Sequence, residues 1–171
     1  AERDLERARA LLAEAGLQAG FDDELEASIT YEAAAREVAA QLAPVGIRLR
    51  VRAWPSGEFS QRVERHQARN FVYSWVLGLQ SGEALSSFLR TRDEGRAVGL
   101  RNRTGYGNPE VDAEVDAALD TRLPAERLPH LQRAMRLLMT DLPWVPLFVP
   151  DSARIHPRQL RFAPSTDPFL R

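Results

Sequence analysis

Cysteine and lysine are both absent from this sequence of 171 residues. Without cysteine the chain can form no disulfide and perform no thiol chemistry, and the absence leaves the redox compartment open. Every one of the 23 basic residues is arginine, which we interpret as a coding bias of the genome. No apolar run approaches the roughly 20 residues that a membrane-spanning helix requires. Because the net charge is only −1, the chain also lacks the broad basic surface that nucleic acid attracts, and we expect no nucleic-acid partner.

Recognisable catalytic and metal-binding patterns are also missing. The three histidines, His66, His130 and His156, share no metal-ligand spacing, and we expect each to lie on the surface. The glycines match neither a P-loop nor a dinucleotide-binding loop, and no nucleophile elbow is present. The sequence therefore predicts no catalytic residue, no metal and no cofactor. A small α/β hydrolase stays an alternative only if it has a nucleophile and base that no motif reveals.

The composition that remains is that of a soluble globular protein. Hydrophobic residues make up 44% of the chain and charged residues 27%, which is ordinary for one compact domain or one domain with a small extension. Residues 1–4 run straight into a helical pattern and have no signal-peptide character. We expect from this abrupt start that the sequence is part of a longer chain.

The apolar periodicity of the first half predicts strands that alternate with helices. The predicted strands are 25–30, 47–54 and 71–77, and the predicted helices are 4–15, 31–43 and 55–67, the last with Ser56 as a possible cap. Short links between these elements predict an α/β fold with a parallel β-α-β-α-β core. Arginines at 48, 50 and 52 share one face of the second strand. This row is either an anion site or, as we favour, a partly solvated face paired with nearby acids.

The second half predicts a pair of helices after a loop. A helical turn at 84–89 and a polar, mobile loop at 90–103 precede a capped helix at 109–120. Asn108 is a good N-cap for this helix, and Pro109 suits its first position. A second helix at 124–141 should pack against the first, and an extended strand is expected at 143–149, with 152–156 as a possible partner.

Several segments resemble the family 5 extracellular solute-binding proteins, the peptide, dipeptide and nickel receptors of ABC importers. The most specific is Tyr-Gly-Asn-Pro-Glu-Val-Asp at 106–112, followed by two helices and a Pro-x-x-Pro-Leu strand at 143–147. Residues 8–16 and 34–63 also resemble family segments. The resemblance implies one lobe of a type II periplasmic-binding-protein-like fold, with residues 1–150 as a C-terminal ligand-binding lobe. Residues 151–171 would be a tail leading back toward a missing N-terminal lobe.

Trp75 is the best candidate for a ligand contact, because it lies near the carboxyl end of a predicted core strand, where open α/β sheets bind ligands. A flat ring with one N–H donor suits a ligand wall, although it could equally fill the core. The family resemblance extends the predicted ligand-binding set to the following positions: Ser74, Trp75, Gly78, Leu79, Gln80, Asn102 and Tyr106. In peptide receptors of the family, an aspartate near the position of Leu79 holds the ligand's ammonium group. Here that acid is missing, so recognition of a free peptide amino terminus would require Glu83 or the absent lobe.

The resemblance implies a non-catalytic substrate-binding component of an ABC importer, which closes two lobes over a peptide or similar small solute. Its partners would be that ligand, the N-terminal lobe and a membrane permease, and its location periplasmic or extracellular, with or without a lipid anchor. The alternative is the effector-sensing lobe of a cytoplasmic transcriptional regulator.

Overall fold

A computed structural model of the protein describes residues 4–75 and 81–149. The chain forms two compact units, Ala1–Trp75 and Val76–Arg171. Within the described residues, the first unit contains the following elements in order: α1 (Leu5–Glu14), β1 (Phe21–Ser28), α2 (Glu32–Leu42), β2 (Ile47–Trp54), α3 (Ser56–Glu64) and β3 (Phe71–Val72). The second unit contains α4 (Ser81–Phe88), α5 (Pro109–Asp120) and α6 (Pro124–Asp141).

The three strands form a parallel sheet in the order β2-β1-β3, which confirms the predicted α/β core. The central strand β1 pairs with β2 along its whole length, from Phe21↔Ile47 to Ser28↔Trp54. It therefore begins four residues before the predicted start at Leu25. The two strands start side by side because a glycine precedes each one, and a Cβ added to Gly20 would lie 2.1 Å from the backbone oxygen of Gly46.

The third strand is shorter than predicted within the described residues. Of residues 71–75, only Phe71 and Val72 pair, opposite Glu26 and Ala27 of β1, and residues 76 and 77 of the predicted strand lie outside the described residues. Because β1 ends at Ser28, the chain beyond Val72 soon lacks a neighbouring strand to receive its backbone hydrogen bonds. An apolar run alone could not reveal where the partner strand ends.

The two faces of this sheet differ in chemistry. One face buries Leu25, Ala27 and Val72 against Ala35 of α2. The other face carries acids of β1 opposite arginines of β2, and the resulting pairs are Asp22–Arg48 (2.7 Å), Glu24–Arg50 and Glu24–Arg52 (3.4 Å). The arginine row is therefore a set of exposed ion pairs, as favoured from the sequence. Helix α3 adds the bidentate pair between Arg62 and the nearly buried Glu26, at 2.8 and 3.1 Å.

Helices α5 and α6 have the predicted bounds and pack against each other. The Asn108 side-chain oxygen accepts a hydrogen bond from the Glu110 amide at 2.9 Å, which confirms the predicted cap. Buried residues of α5 recur at helical spacing (Val111, Val115 and Ala118), and those of α6 are Ala134 and Leu138.

Two further local predictions were wrong. Ser56 does not cap α3, because it is already the first helical residue and Pro55 occupies the cap position. Residues 143–149 form no strand within the described part of the chain, since Pro143 and Pro146 lack the amide donors that a strand ladder requires. His130 is partly exposed, and its Nδ1 lies 2.7 Å from Glu114 Oε2. Residues 150–171, including 152–156 and His156, lie outside the described residues.

Candidate ligand-binding site

The carboxyl edge of the parallel sheet lies in the first unit. There β1 ends at Ser28, β2 ends at Trp54, and β3 leads through Tyr73 and Ser74 to Trp75. Ligands of open α/β sheets bind beyond this edge, because the loops that follow parallel strands converge there. Two tryptophans consequently lie within a few residues of strand ends at the edge where a ligand would be expected.

Trp54 is fixed by two cations. The Arg62 guanidinium carbon lies 4.4 Å from the centre of its ring, and that of Arg52 lies 4.7 Å away. Both distances allow a cation–π attraction. The indole Nε1 is buried and has no hydrogen-bond partner among the residues that the structure describes.

Ser74 and Trp75 are both partly buried, as a ligand wall would be. The ring of Trp75 lies against the ring of Tyr73, with centroids 4.6 Å apart and planes tilted by 36°. Tyr73 in turn packs against the buried cluster of Phe59, Val63 and Ala68. The predicted neighbours Gly78, Leu79 and Gln80 lie outside the described residues.

Asn102 of the second unit is 1% exposed, and its side-chain amide is engaged with the protein itself. Its Nδ2 donates to the backbone oxygens of Arg90 at 3.0 Å and Tyr106 at 2.7 Å. Its Oδ1 accepts a hydrogen bond from the Thr104 hydroxyl at 3.1 Å. The Asn102 side chain thus holds the loop between α4 and α5 together by hydrogen bonds within the loop. A contact between Asn102 and a ligand stays a prediction.

Tyr106 joins the start of α5 to the end of α6. Its hydroxyl donates to Asp141 Oδ2 at 2.5 Å, and Asn108 Nδ2 donates to the same oxygen at 2.7 Å. Burial, together with the hydrogen bond to Asp141, raises the pKa of Tyr106 to about 12. The Tyr106 and Asn108 donors hold the pKa of Asp141 below its usual value. Tyr106 and Asn102 are therefore brought together in one hydrogen-bonded loop, as Ser74 and Trp75 are brought together in the first unit.

Ion pairs hold the same loop at its other end, so it is more ordered than the mobile loop predicted for 90–103. Arg90, 4% exposed, makes a bidentate pair with Asp116 of α5 at 2.9 and 2.8 Å. The hydrogen bond from Arg90 lowers the pKa of Asp116, and the same bond raises the pKa of Arg90. The Thr91 amide donates to Asp112 at 2.9 Å. Sequence reasoning missed these anchors because each pairs residues more than 20 positions apart.

The described residues bring together no group of three or more histidine or acidic side chains that could hold a metal ion. In the same part of the chain, no helix has the length and apolarity needed to cross a membrane.

Two residues of the carboxyl edge were not among the predicted site residues. Trp54 could have been found, because it is the last residue of a strictly alternating strand and the same rule that selected Trp75 applies to it. Tyr73 carries no comparable signal, since an aromatic residue inside an apolar run is most often part of the core.

Comparison with solved structures gives the fold. The chain superposes on a periplasmic binding protein, DppA from Helicobacter pylori in complex with the peptide STSA, with a TM-score of 0.77 and 22% identity over 85% of this chain and 29% of that chain. It also superposes on a dipeptide-binding protein from Pseudoalteromonas sp. SM9913 in complex with Met-Leu, with a TM-score of 0.71 and 24% identity over 82% and 29%. The fold is that of a type II periplasmic binding protein.

Sequence comparison finds relatives along most of the chain. The chain is 31% identical to the glutathione-binding protein GsiB of Escherichia coli (strain K12) over 163 residues, which cover 90% of this chain. It is 30% identical to the GsiB protein of Salmonella typhi over 166 residues. No family model matches the chain. By these relatives and its fold, the chain is similar to one part of the family 5 solute-binding proteins. It spans about a third of the length of these relatives, 31% and 32% respectively.

Proposed function

We propose that the chain is a ligand-binding lobe of the substrate-binding component of an ABC importer for peptides or similar small solutes. The observation that carries the proposal is the carboxyl edge of the parallel sheet, where Trp54 and the partly buried Trp75 lie at or just beyond strand ends. A flat apolar wall of this kind binds a solute by shape and removes apolar surface from water without changing a bond. The named relatives and neighbours are all binding proteins, which gives the regulator alternative no support.

In this proposal Ser74 and Trp75 contact the ligand, together with the segment that contains Gly78, Leu79 and Gln80. Asn102 and Tyr106 belong to the same predicted set, and the hydrogen bonds of their side chains favour a supporting role in the loop before α5. The lobe carries no catalytic residue and works with a second lobe and a membrane permease. Its location is periplasmic or extracellular, and residues 151–171 lead back toward the second lobe.

Calorimetry of two forms of the protein tests this function. We expect the two-lobed receptor to bind at least one of three probes: glutathione, the dipeptide Met-Leu or the peptide STSA. We expect the 171-residue chain alone to bind weakly or not at all, because one lobe supplies only half of a cleft. Micromolar binding by the isolated chain would contradict the proposal that one lobe supplies only half of the cleft. If the two-lobed receptor binds none of the probes, the result counts against peptides and similar solutes as its ligands.

A tryptophan variant tests the position of the site. We expect Trp75→Ala to weaken binding by the two-lobed receptor by roughly fivefold, since the ring's packing energy is of the order of 1 kcal/mol. Trp144→Phe is the matched control, because Trp144 packs against Phe88 in the second unit, with ring centroids 6.0 Å apart. Equal affinities for the Trp75→Ala variant and the unchanged receptor would remove Trp75 from the site.

The absence of an acid near Leu79 leads to a separate proposal about the ligand. A buried ammonium group without a carboxylate partner is strongly disfavoured. The preferred solute therefore has no free amino terminus at this position, and blocking the amino group of Met-Leu by acetylation should not weaken binding. If acetylation abolishes binding, and the variant Glu83→Gln does so as well, Glu83 supplies the missing charge.

A further inference from the structure

Three aromatic rings of the first unit, those of Phe59, Phe71 and Trp75, each contact the ring of Tyr73. Phe59 of α3 is 3% exposed, and its ring stacks on that of Tyr73 with centroids 5.6 Å apart and planes at 30°. Phe71 meets Tyr73 edge to face at 6.4 Å and 82°. Trp75 meets it at 4.6 Å, the shortest of the three separations. Tyr73 is thus the ring that all three contacts share, and it joins buried Phe59 to the indole of Trp75.

Tyr73 is itself held at two places by α3. Its ring lies against Phe59, and its hydroxyl oxygen lies 3.4 Å from Ser60 Oγ, the next residue of the same helix. Phe59 belongs to a buried cluster with Val63 and Ala68, so the surface of α3 that packs against Tyr73 is part of the core. A side chain held by core contacts on one side can transmit their rigidity to a ring on its other side.

We propose that Tyr73 is a positioning residue, which fixes the tilt of the Trp75 indole and so sets the wall against which a solute packs. The proposal rests on the function proposed above. Binding to a preformed wall avoids the loss of side-chain freedom that a mobile indole would suffer when the ligand arrives. An aromatic contact of this kind corresponds to roughly a two- to tenfold effect on affinity.

Fluorine NMR of the 171-residue chain labelled with fluorotryptophan tests the positioning directly and without a ligand. The chain has three tryptophans, so three resonances are expected, and Trp75→Phe identifies the one from Trp75. We expect Tyr73→Leu to shift the Trp75 resonance toward that of a solvent-exposed indole. We expect Tyr73→Phe to leave it in place, because the ring contacts at 4.6 and 5.6 Å remain and only the hydroxyl contact is lost.

Tyr31→Leu is the matched control for the loss of a tyrosine ring from the same unit. Tyr31 is also partly buried, but it packs against the other cluster, formed by Leu25, Ala27, Ala35 and Val72. A Trp75 resonance that does not move in Tyr73→Leu, or that moves as much in Tyr31→Leu, would overturn the proposal. If Tyr73→Leu fails to fold, Tyr73→Met replaces it, because the flexible methionine side chain fills the space without a rigid ring.

Binding by the two-lobed receptor provides the second measurement, with glutathione, Met-Leu and STSA as probes. We expect Tyr73→Leu to weaken binding roughly two- to tenfold and Tyr73→Phe to restore it. Unchanged affinity in Tyr73→Leu overturns the positioning role and leaves the proposed function intact. If the unchanged receptor binds none of the probes, the proposed function fails for these solutes, while the fluorine spectra still decide whether Tyr73 fixes the indole.

Discussion

We expect Asn102→Ala to destabilise the second unit. The loss should be larger than for the replacement of any other side-chain amide in the described loop between α4 and α5. The side chain is 1% exposed and makes three hydrogen bonds, two of them to backbone oxygens. In Asn102→Ala the carbonyl oxygens of Arg90 and Tyr106 lose these donors. Because Arg90 is itself buried, water cannot easily replace the donor to its carbonyl group.

The expected magnitude follows from those contacts. An acceptor left unsatisfied in a buried position costs about 1–3 kcal/mol, and an exposed one much less. The hydrogen bond to the Arg90 oxygen is buried, and the one to the Tyr106 oxygen is partly buried. We therefore expect the free energy of unfolding to fall by about 2–4 kcal/mol, a large part of the 5–15 kcal/mol typical of whole domains.

Urea denaturation followed by circular dichroism measures the change, and two variants make the comparison specific. Asn102→Asp keeps the shape but replaces the two N–H donors by a charged oxygen facing two carbonyl oxygens, so we expect a loss at least as large as for alanine. Asn70→Ala is the matched control in the first unit, where the amide hydrogen bonds to Asp23 and Glu24 are exposed. There the loss should be below about 1 kcal/mol.

The result that would refute the reasoning is an Asn102→Ala variant as stable as the unchanged chain. Stability unchanged together with weakened solute binding would show that the side chain faces the ligand and that the loop is held by other contacts. A loss of stability without a change in the affinity of the remaining folded receptor would instead assign Asn102 to the scaffold alone.

Three further changes have distinct expected outcomes. Leu138→Ala should lower the free energy of unfolding by about 2–5 kcal/mol, because the side chain is only 4% exposed. Met139→Ala, at the neighbouring position that is 51% exposed, should lower it by less than about 1 kcal/mol. Equal losses in urea denaturation would contradict the packing of α6. Arg62→Met should lower the free energy of unfolding, since it leaves the buried carboxylate of Glu26 without its partner, whereas Arg48→Met at an exposed β2 pair should lower it less; equal losses would contradict this reasoning. Tyr106 has a pKa raised to about 12, so its contribution to stability is complete below the ordinary tyrosine pKa of 10.0 and is lost as the pH rises through 12. Ultraviolet titration should therefore show a late tyrosine ionisation that disappears in Tyr106→Phe and moves to lower pH in Asp141→Asn, where burial still raises the pKa. The absence of a late ionisation would contradict it.

Local signals in the sequence were sufficient for the helix pair and its start. Asn108 and Pro109 fix the beginning of α5 through interactions within four residues of chain, and the apolar spacing of α5 and α6 follows from the geometry of each helix alone. The bounds of both helices could consequently be predicted to the residue. The strictly alternating strand β2 is a case of the same kind.

The extent of β3 and the order of the loop before α5 depended on distant partners. The apolar run from Phe71 predicted a strand of seven residues, but only the length of β1 decides how many of them pair. The polar composition of 90–103 predicted mobility, but Arg90 and Asn102 are buried because they meet partners on α5 and within the loop itself.

The candidate site divides in the same way. The position of Trp75 beyond a parallel strand could be predicted from the order of strands and helices, because the direction of a parallel strand fixes which end faces a ligand. That Tyr73 lies between Phe59 and Trp75 was decided only by the tertiary structure. The sequence by itself determined whatever depends on neighbours along the chain, namely helix starts, apolar faces and strand directions. Contacts between side chains on different elements were decided by the packing of those elements, because their separation in sequence carries no information about their distance in space.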